Sequence, residues 1–121
     1  MGKVNYAAID IGSNAVRLLI KALTREAVQE KKFKKVMMLR VPLRLGFDVF
    51  SIGELSEKKV DKLRRLMKAF RQLMKIYDVD DYRACATSAM RDARNGRMII
   101  KKIEKDTGIR IEILMVRKRL E

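Results

Sequence analysis

Histidine and tryptophan are absent from this sequence, and cysteine and proline each occur once. Without histidine, the chain can form neither a Ser–His or Cys–His catalytic arrangement nor the usual zinc sites. One cysteine excludes an internal disulfide, and no histidine is present to activate it. We therefore expect Cys85, which lies in an apolar run, to be a core residue of a buried strand.

Aromatic residues are also scarce, at 6% of the sequence, and acidic residues are outnumbered. The 29 lysines and arginines, against 15 aspartates and glutamates, give a formal net charge of +14. Such a charge favours polyanionic partners, but few aromatic side chains are available to stack on bases. The composition therefore favours phosphate chains and disfavours nucleic acid as the partner.

Long apolar runs are missing too. None approaches the length that spans a membrane, and the first residues lack the apolar region of a signal peptide. Hydrophobic residues make up 48% of the 121 residues, which is enough for one small globular domain. We expect a soluble cytoplasmic domain that does not bind membranes.

The first stretch that could carry chemistry is a turn between two apolar segments. Residues 4–9 and 15–19 are rich in β-branched residues, and Gly12, Ser13 and Asn14 join them, which predicts a β-hairpin. Gly12 allows a ligand close to the backbone, Ser13 and Asn14 add polar side chains, and turn N–H groups can hold an anion. An ordinary hairpin turn without a ligand is the alternative.

Two charged residues flank this turn. Asp10, at the end of the first strand, could hold a divalent cation or its water shell. Arg17, in the second strand, offers a planar positive group suited to phosphate.

A second stretch points to the same chemistry. Residues 82–86 predict a buried strand of a parallel sheet, and Thr87 and Ser88 could cap a helix that begins near Ala89. Arg91, one turn into that helix, would then lie over a bound anion, with Asp92 and Arg94 facing elsewhere.

The middle of the chain predicts a third strand over residues 31–41, followed by a loop that runs to Gly53 and contains Arg44, Gly46 and Asp48. Ser56 has the features of an N-cap, and apolar residues at three- and four-residue steps predict a helix to about Tyr77.

The end of the chain predicts one more helix and one more strand. Asn95 could cap a helix that runs to about Lys105 and is closed by Gly108, and the alternation over 109–114 predicts a last strand. The order β-β-β-α-β-α-β gives an α/β domain with a mixed five-stranded sheet flanked by helices.

Three motifs, in this order, resemble a known family: Asp-Ile-Gly-Ser-Asn at 10–14 followed by Arg17, Arg-Leu-Gly at 44–46, and Ala-Thr-Ser-Ala-Met-Arg-Asp-Ala at 86–93. Together they resemble the amino-terminal domain of the exopolyphosphatase and guanosine pentaphosphate phosphohydrolase (Ppx/GppA) family over residues 4–113. The resemblance implies the ribonuclease H-like half of the actin-like ATPase fold, in agreement with the predicted order of elements.

The resemblance also implies an activity and a set of residues. The parent enzyme would use Mg²⁺ to release the terminal phosphate of inorganic polyphosphate or of guanosine pentaphosphate, and the motifs do not choose between these substrates. Asp10 would orient the metal. The phosphate-binding residues would be Gly12, Ser13, Asn14, Arg17, Thr87, Ser88 and Arg91.

The sequence departs from the family after Ile113. The family continues into a Gly-Glu-Glu-Glu-Ala segment that carries the catalytic glutamate, whereas this chain continues Leu-Met-Val-Arg-Lys-Arg-Leu-Glu. We therefore expect residues 1–114 to form a phosphate-binding lobe and residues 115–121 to form a tail that arises from truncation, vector residues or a frameshift. Such a fragment would contain no catalytic residue and would have no meaningful turnover. Its partners would include the second lobe of the parent protein. A second copy of the chain, in a homodimer, is another partner that the sequence leaves open.

Two other functions remain open from the residues alone. The charge is compatible with a small nucleic-acid-binding domain, although an aromatic platform and a recognition-helix pattern are missing. A lobe of a nucleotide-dependent sugar or acetate kinase would share the turn after the first strand, but the run at 86–93 argues against it.

Overall fold

A mixed five-stranded β-sheet forms the centre of the molecule. The computed structural model describes residues 3–23 and 33–115. The strands, in chain order, are β1 (Val4–Ile11), β2 (Val16–Leu23), β3 (Lys34–Val41), β4 (Asp81–Ala86) and β5 (Glu112–Ile113). Their order across the sheet is β3-β2-β1-β4-β5, with β1, β2 and β3 antiparallel and β1, β4 and β5 parallel. The predicted α/β class and mixed sheet are confirmed.

Four helices accompany this sheet within the described residues. They are α1 (Leu45–Ile52), α2 (Glu57–Ile76), α3 (Ser88–Asp92) and α4 (Gly96–Thr107). The long helices α2 and α4 contact each other. No helix of the described part is both long and apolar enough to cross a membrane.

The core lies between the sheet and the helices. Side chains of β1 and β2 alternate between buried and exposed, as in a sheet with one covered face. Ile9, Leu18 and Ile20 face inward and share one cluster with Phe70 of α2 and Ile103 of α4. The described helices therefore cover one face of the sheet, and the other face carries exposed side chains.

Cys85 lies on the less covered face, so the prediction that it is a core residue was wrong. Its neighbours in β4, Ala84 and Ala86, are buried, whereas Cys85 itself is half-buried. A short run of small apolar residues suits a strand that is buried on one face or on both, and only the packing distinguishes the two cases.

The prediction that a loop runs to Gly53 was also wrong, because residues 45–52 form α1. This helix escaped the sequence pattern because Phe47 and Phe50 are exposed, whereas Leu45 and the polar Asp48 are buried. Its apolar residues thus do not mark the buried side. Gly53 closes the helix in the left-handed conformation, with a φ of 78°.

The helix α2 begins and ends close to its predicted bounds. The Ser56 hydroxyl accepts a hydrogen bond from the Lys59 N–H at 3.3 Å, which confirms the N-cap. The buried side chains of α2 are Leu63, Met67, Phe70 and Met74.

The last elements confirm part of the prediction. Gly108 ends α4, as expected, but Asn95 makes no side-chain cap to this helix. The last strand contains only Glu112 and Ile113, because the amides of Ile109 and Ile111 donate to Thr107 and Glu104 side chains. The first residues of the predicted third strand, 31–32, and the end of the predicted tail, 116–121, lie outside the described residues.

One buried carboxylate connects α1 to α2. Asp48 Oδ2 accepts hydrogen bonds from the Ser56 N–H at 3.0 Å and from the Ser56 hydroxyl at 2.6 Å. Burial alone would raise the pKa of Asp48, but these hydrogen bonds and the nearby charge of Lys59 outweigh it and lower the pKa below its usual value. The ionised carboxylate is therefore favoured by the folded state.

We expect Asp48→Asn to lower the free energy of unfolding by about 1–3 kcal/mol at pH 7. Because the folded-state pKa is lowered, this stabilisation is fully present above the ordinary aspartate pKa and is lost as the pH falls through the folded-state value. Denaturant unfolding of both proteins at pH 7 and at a series of lower pH values, from about 4 downwards, measures the difference. The exposed Asp92 provides a control, as Asp92→Asn, and a difference for Asp48→Asn that does not shrink in acid would contradict the prediction.

Candidate functional site

The turn between β1 and β2 is hydrogen-bonded to the residues at the beginning of α1. The Gly12 N–H donates to the Ala15 carbonyl at 3.0 Å and closes the turn. The Ser13 carbonyl accepts from the Gly46 N–H at 2.8 Å, and the Asn14 carbonyl accepts from the Arg44 N–H at 3.0 Å. The predicted hairpin is confirmed, and its peptide groups are fixed by the Arg-Leu-Gly segment.

The backbone of α1 approaches the turn closely. A Cβ atom at Gly46 would lie 2.8 Å from the Ser13 Cβ, a separation that real Cβ atoms essentially never show. Arg44, immediately before α1, has a left-handed backbone with φ 54° and ψ 48°, which is unfavourable for a residue with a side chain. The sequence pattern placed Arg44 and Gly46 in a loop and did not indicate that their N–H groups hold the turn.

The end of β4 reaches the same turn. The Thr87 N–H donates to the Ile11 carbonyl at 3.1 Å, and its hydroxyl donates to that carbonyl at 3.4 Å. The hydroxyls of Ser13 and Ser88 are hydrogen-bonded at 2.7 Å. The expected side-chain cap of α3 by Thr87 is absent. Thr87 instead joins β4 to the end of β1.

Asp10 and Arg17 form an ion pair beside the turn. They lie opposite each other in the pairing of β1 with β2, and Arg17 Nη2 is 2.9 Å from Asp10 Oδ2. The two side chains are 43% and 54% exposed, respectively. The pair is therefore accessible to a solute on the less covered face of the sheet.

Arg91, the residue predicted to lie over a bound anion, is bound to protein atoms near the end of β5. Its Nη1 donates to the Leu114 carbonyl at 3.4 Å and its Nε to Asp92 at 3.3 Å, and its side chain is only 14% exposed. The structure thus brings Arg91 to the end of β5, and no hydrogen bond joins it to the described turn. A phosphate-binding role for Arg91 stays a prediction.

A divalent metal beside the turn would be held through the carboxylate of Asp10. The described residues contain no group of three histidine, cysteine, aspartate or glutamate side chains able to surround a metal. One carboxylate nevertheless fits Mg²⁺, which usually keeps several waters and binds through one or two carboxylates together with substrate phosphates.

The fold and the turn together define a class of protein. A sheet of order β3-β2-β1-β4-β5, with a polar hairpin turn and the end of β4 at one edge, is a lobe of the actin-like ATPase fold. The chain belongs to the Ppx/GppA phosphatase family, whose sequence model matches residues 23–118.

Individual relatives agree with this assignment. The chain is 32% identical over 111 residues to a bifunctional 3-dehydroquinate synthase/phosphatase of Fusobacterium nucleatum, a match that covers 89% of the chain. It is 28% identical over 111 residues to exopolyphosphatase 1 of Mycobacterium tuberculosis, with 92% of the chain covered. The crystal structure of the Aquifex aeolicus Ppx/GppA family member superposes with a TM-score of 0.84 at 26% identity and covers 93% of the chain.

These relatives are much longer than the chain. The match spans 17% of the Fusobacterium protein, 31% of the Mycobacterium protein and 35% of the Aquifex chain. The chain thus spans about a third or less of their length, and it corresponds to one amino-terminal domain of the family.

We expect Gly46→Ala to destabilise the protein by about 1–3 kcal/mol, because the new methyl group overlaps Ser13. In an unobstructed helix the same change would stabilise by about 1 kcal/mol, so the sign of the effect is diagnostic. Denaturant unfolding of Gly46→Ala, Ser13→Gly and the double variant measures it. The double variant should regain part of the loss, since Ser13→Gly removes the clashing Cβ atom. Independent, additive effects would contradict this contact.

Proposed function

We propose that this chain is the amino-terminal phosphate-binding lobe of a phosphohydrolase that acts on inorganic polyphosphate or guanosine pentaphosphate. The supporting observation is the meeting of the three family motifs at one edge of the sheet, where Ser13 contacts both Gly46 and Ser88. Residues from segments about 30 and 75 positions apart along the chain form one small polar surface.

The turn has donors available for the oxygens of a phosphate. Its Ser13 and Asn14 carbonyls are engaged by α1, whereas the N–H groups of these two residues donate to no protein atom within residues 3–23 and 33–115. In the Ser13–Ser88 pair, one hydroxyl donates to the other, so the second keeps a hydrogen for a ligand. Successive N–H groups and hydroxyls of this kind bind anions.

Charge neutralisation would come from Arg17. Its guanidinium is bound to Asp10 on an exposed surface, where an ion pair contributes little, so a phosphate could recruit it at small cost. Arginine suits this role because its planar group can donate two parallel hydrogen bonds to a phosphate.

Mg²⁺ would be held through Asp10 and would neutralise charge on the substrate phosphates when bound. The second carboxylate oxygen of Asp10, Oδ1, accepts no hydrogen bond from the described residues and is available to the ion or its water shell.

Hydrolysis by these 121 residues alone is not expected. The sequence contains no Gly-Glu-Glu-Glu-Ala segment after the last strand, and a general base typically contributes about two to four orders of magnitude in rate. We propose that the chain itself binds phosphate chains without hydrolysing them.

The first test compares binding of polyphosphate with binding of single-stranded DNA that carries the same number of phosphates. We expect wild type to prefer polyphosphate, and Arg17→Ala to weaken polyphosphate binding about tenfold, the loss of one charged hydrogen bond. Calorimetric titration measures both affinities, and phosphate release in the same samples should stay at background.

The matched control is Arg65→Ala. Arg65 also forms an exposed ion pair with an aspartate, Asp61, at 2.9 Å, but on the helix α2. Equal losses from Arg17→Ala and Arg65→Ala, or equal affinity for DNA and polyphosphate, would favour a nonspecific basic surface.

A second test concerns Asp10 and Mg²⁺. In the absence of divalent ions, Asp10→Asn should bind tripolyphosphate more tightly than wild type, because it removes a negative charge and releases Arg17. With Mg²⁺, wild type should gain affinity and Asp10→Asn should not. Asp81→Asn removes the same charge at the opposite end of the sheet and is the control. An Mg²⁺ effect that survives in Asp10→Asn would refute the metal role.

A further inference from the structure

The helix α1 packs on the core through few apolar side chains, mainly Leu45 and the partly buried Val49. Among its residues only Leu45 and Asp48 are buried, and its apolar Phe47, Phe50 and Ile52 are exposed, Phe50 to 94%. An element with so little buried apolar area can shift at low cost unless other contacts hold it. Besides the hydrogen bonds between Asp48 and Ser56, its position depends on the hydrogen bonds at its two ends.

The first end of α1 holds the phosphate-binding turn. The N–H groups of Arg44 and Gly46 donate to the Asn14 and Ser13 carbonyls, and they can do so only while α1 stays in place. Arg44 keeps its unfavourable left-handed backbone here, a conformation that persists only where surrounding contacts impose it.

The other end of α1 is held by Asn95. Its Oδ1 accepts from the Leu55 N–H at 3.0 Å, and its Nδ2 donates to the Leu55 carbonyl at 2.9 Å. One side chain thus satisfies both backbone groups of a buried residue that lies 40 positions earlier. This explains why Asn95 does not cap α4.

The residue before Asn95 strengthens the same attachment. The Arg94 N–H donates to the Gly53 carbonyl at 2.9 Å, and Arg94 Nη2 donates to the Ile52 carbonyl at 3.0 Å and lies 3.3 Å from Glu54. Arg94 also packs where a side chain at Gly53 would have to lie. Together, Arg94 and Asn95 form a clamp on the segment that follows α1.

The clamp and the turn are connected by α3 as well. The segment that ends at Arg94 and Asn95 begins with Ser88, which is hydrogen-bonded to Ser13. The contacts therefore form a closed ring, from the turn to α1, from the end of α1 to Arg94 and Asn95, and through α3 back to the turn. The helix α1 spans about 12 Å of this ring. Removing the clamp opens this ring on the side away from the turn.

We infer that Asn95 is a positioning residue, which fixes the phosphate-binding turn from the far end of α1 without touching a ligand. Its effect on ligand binding rests on the proposed function, whereas its effect on the turn itself does not. The sequence pattern alone assigned Asn95 a helix cap, and the structure gives it this different role.

The test begins with amide hydrogen exchange by NMR in the full 121-residue chain without ligand. In Asn95→Ala, we expect the Arg44 and Gly46 amides to exchange about tenfold faster or more, since their protection depends on the position of α1. The amide of Leu18, in the middle of the sheet, should keep its relative protection.

The matched control is Asn5→Ala. The Asn5 side chain also donates to backbone carbonyls, those of Tyr77 at 2.8 Å and Asp78 at 3.3 Å, but at the opposite end of β1. It should lower global stability without selectively exposing Arg44 and Gly46. Arg94→Ala is a milder second variant, useful if Asn95→Ala does not fold, and should accelerate the same two amides.

The second measurement is the affinity for tripolyphosphate. We expect a loss of about tenfold in Asn95→Ala and less than about twofold in Asn5→Ala, consistent with the usual size of coupling between sites. Unchanged exchange at Arg44 and Gly46, or faster exchange with full affinity, would overturn the positioning role. If wild type itself does not bind tripolyphosphate, the proposed function fails, and the exchange data still decide whether the clamp holds the turn.

Discussion

The parallel pairing of β1 with β4 is the constraint on which the candidate site depends. This register sets Ile11 beside Ala86, so both strands end at the same level. The residues that directly follow the two strands therefore lie close together. The Thr87 N–H donates to the Ile11 carbonyl, and the Ser88 hydroxyl is hydrogen-bonded to that of Ser13. Parallel strands place their carboxyl ends at one edge, which is where open α/β sheets usually bind ligands.

A one-sided sheet explains how charge is distributed around that edge. The covered face takes the apolar side chains of β1 and β2, so residues such as Asp10, Arg17 and Lys21 project on the other face. The ion pair of Asp10 and Arg17 is therefore hydrated and adaptable, whereas the carboxylate of Asp48, buried between α1 and α2, is committed to Ser56 and serves the fold. Two aspartates of one domain thus differ in the partners available to them, because their solvent exposure differs.

The helix α1 shows how a domain can hold a functional segment with few apolar contacts. Its turn-facing end needs a residue without a side chain at Gly46, and its other end needs the Asn95 side chain. Close approach and directional hydrogen bonds define position more sharply than apolar burial, which tolerates sliding. This arrangement also explains why an element with exposed Phe47 and Phe50 has a defined place.

The sequence by itself determined the class of the domain, the hairpin, α2 with its Ser56 cap, and the family, because these depend on local periodicity and on motifs that are contiguous along the chain. Only the tertiary structure decided that Cys85 is partly exposed and that residues 45–52 are helical. It also decided that the Arg91 side chain donates to the Leu114 carbonyl and that the Asn95 side chain binds the backbone of Leu55. These features rest on contacts between residues far apart in sequence. Such contacts override local propensity, and no pattern within a short window contains them.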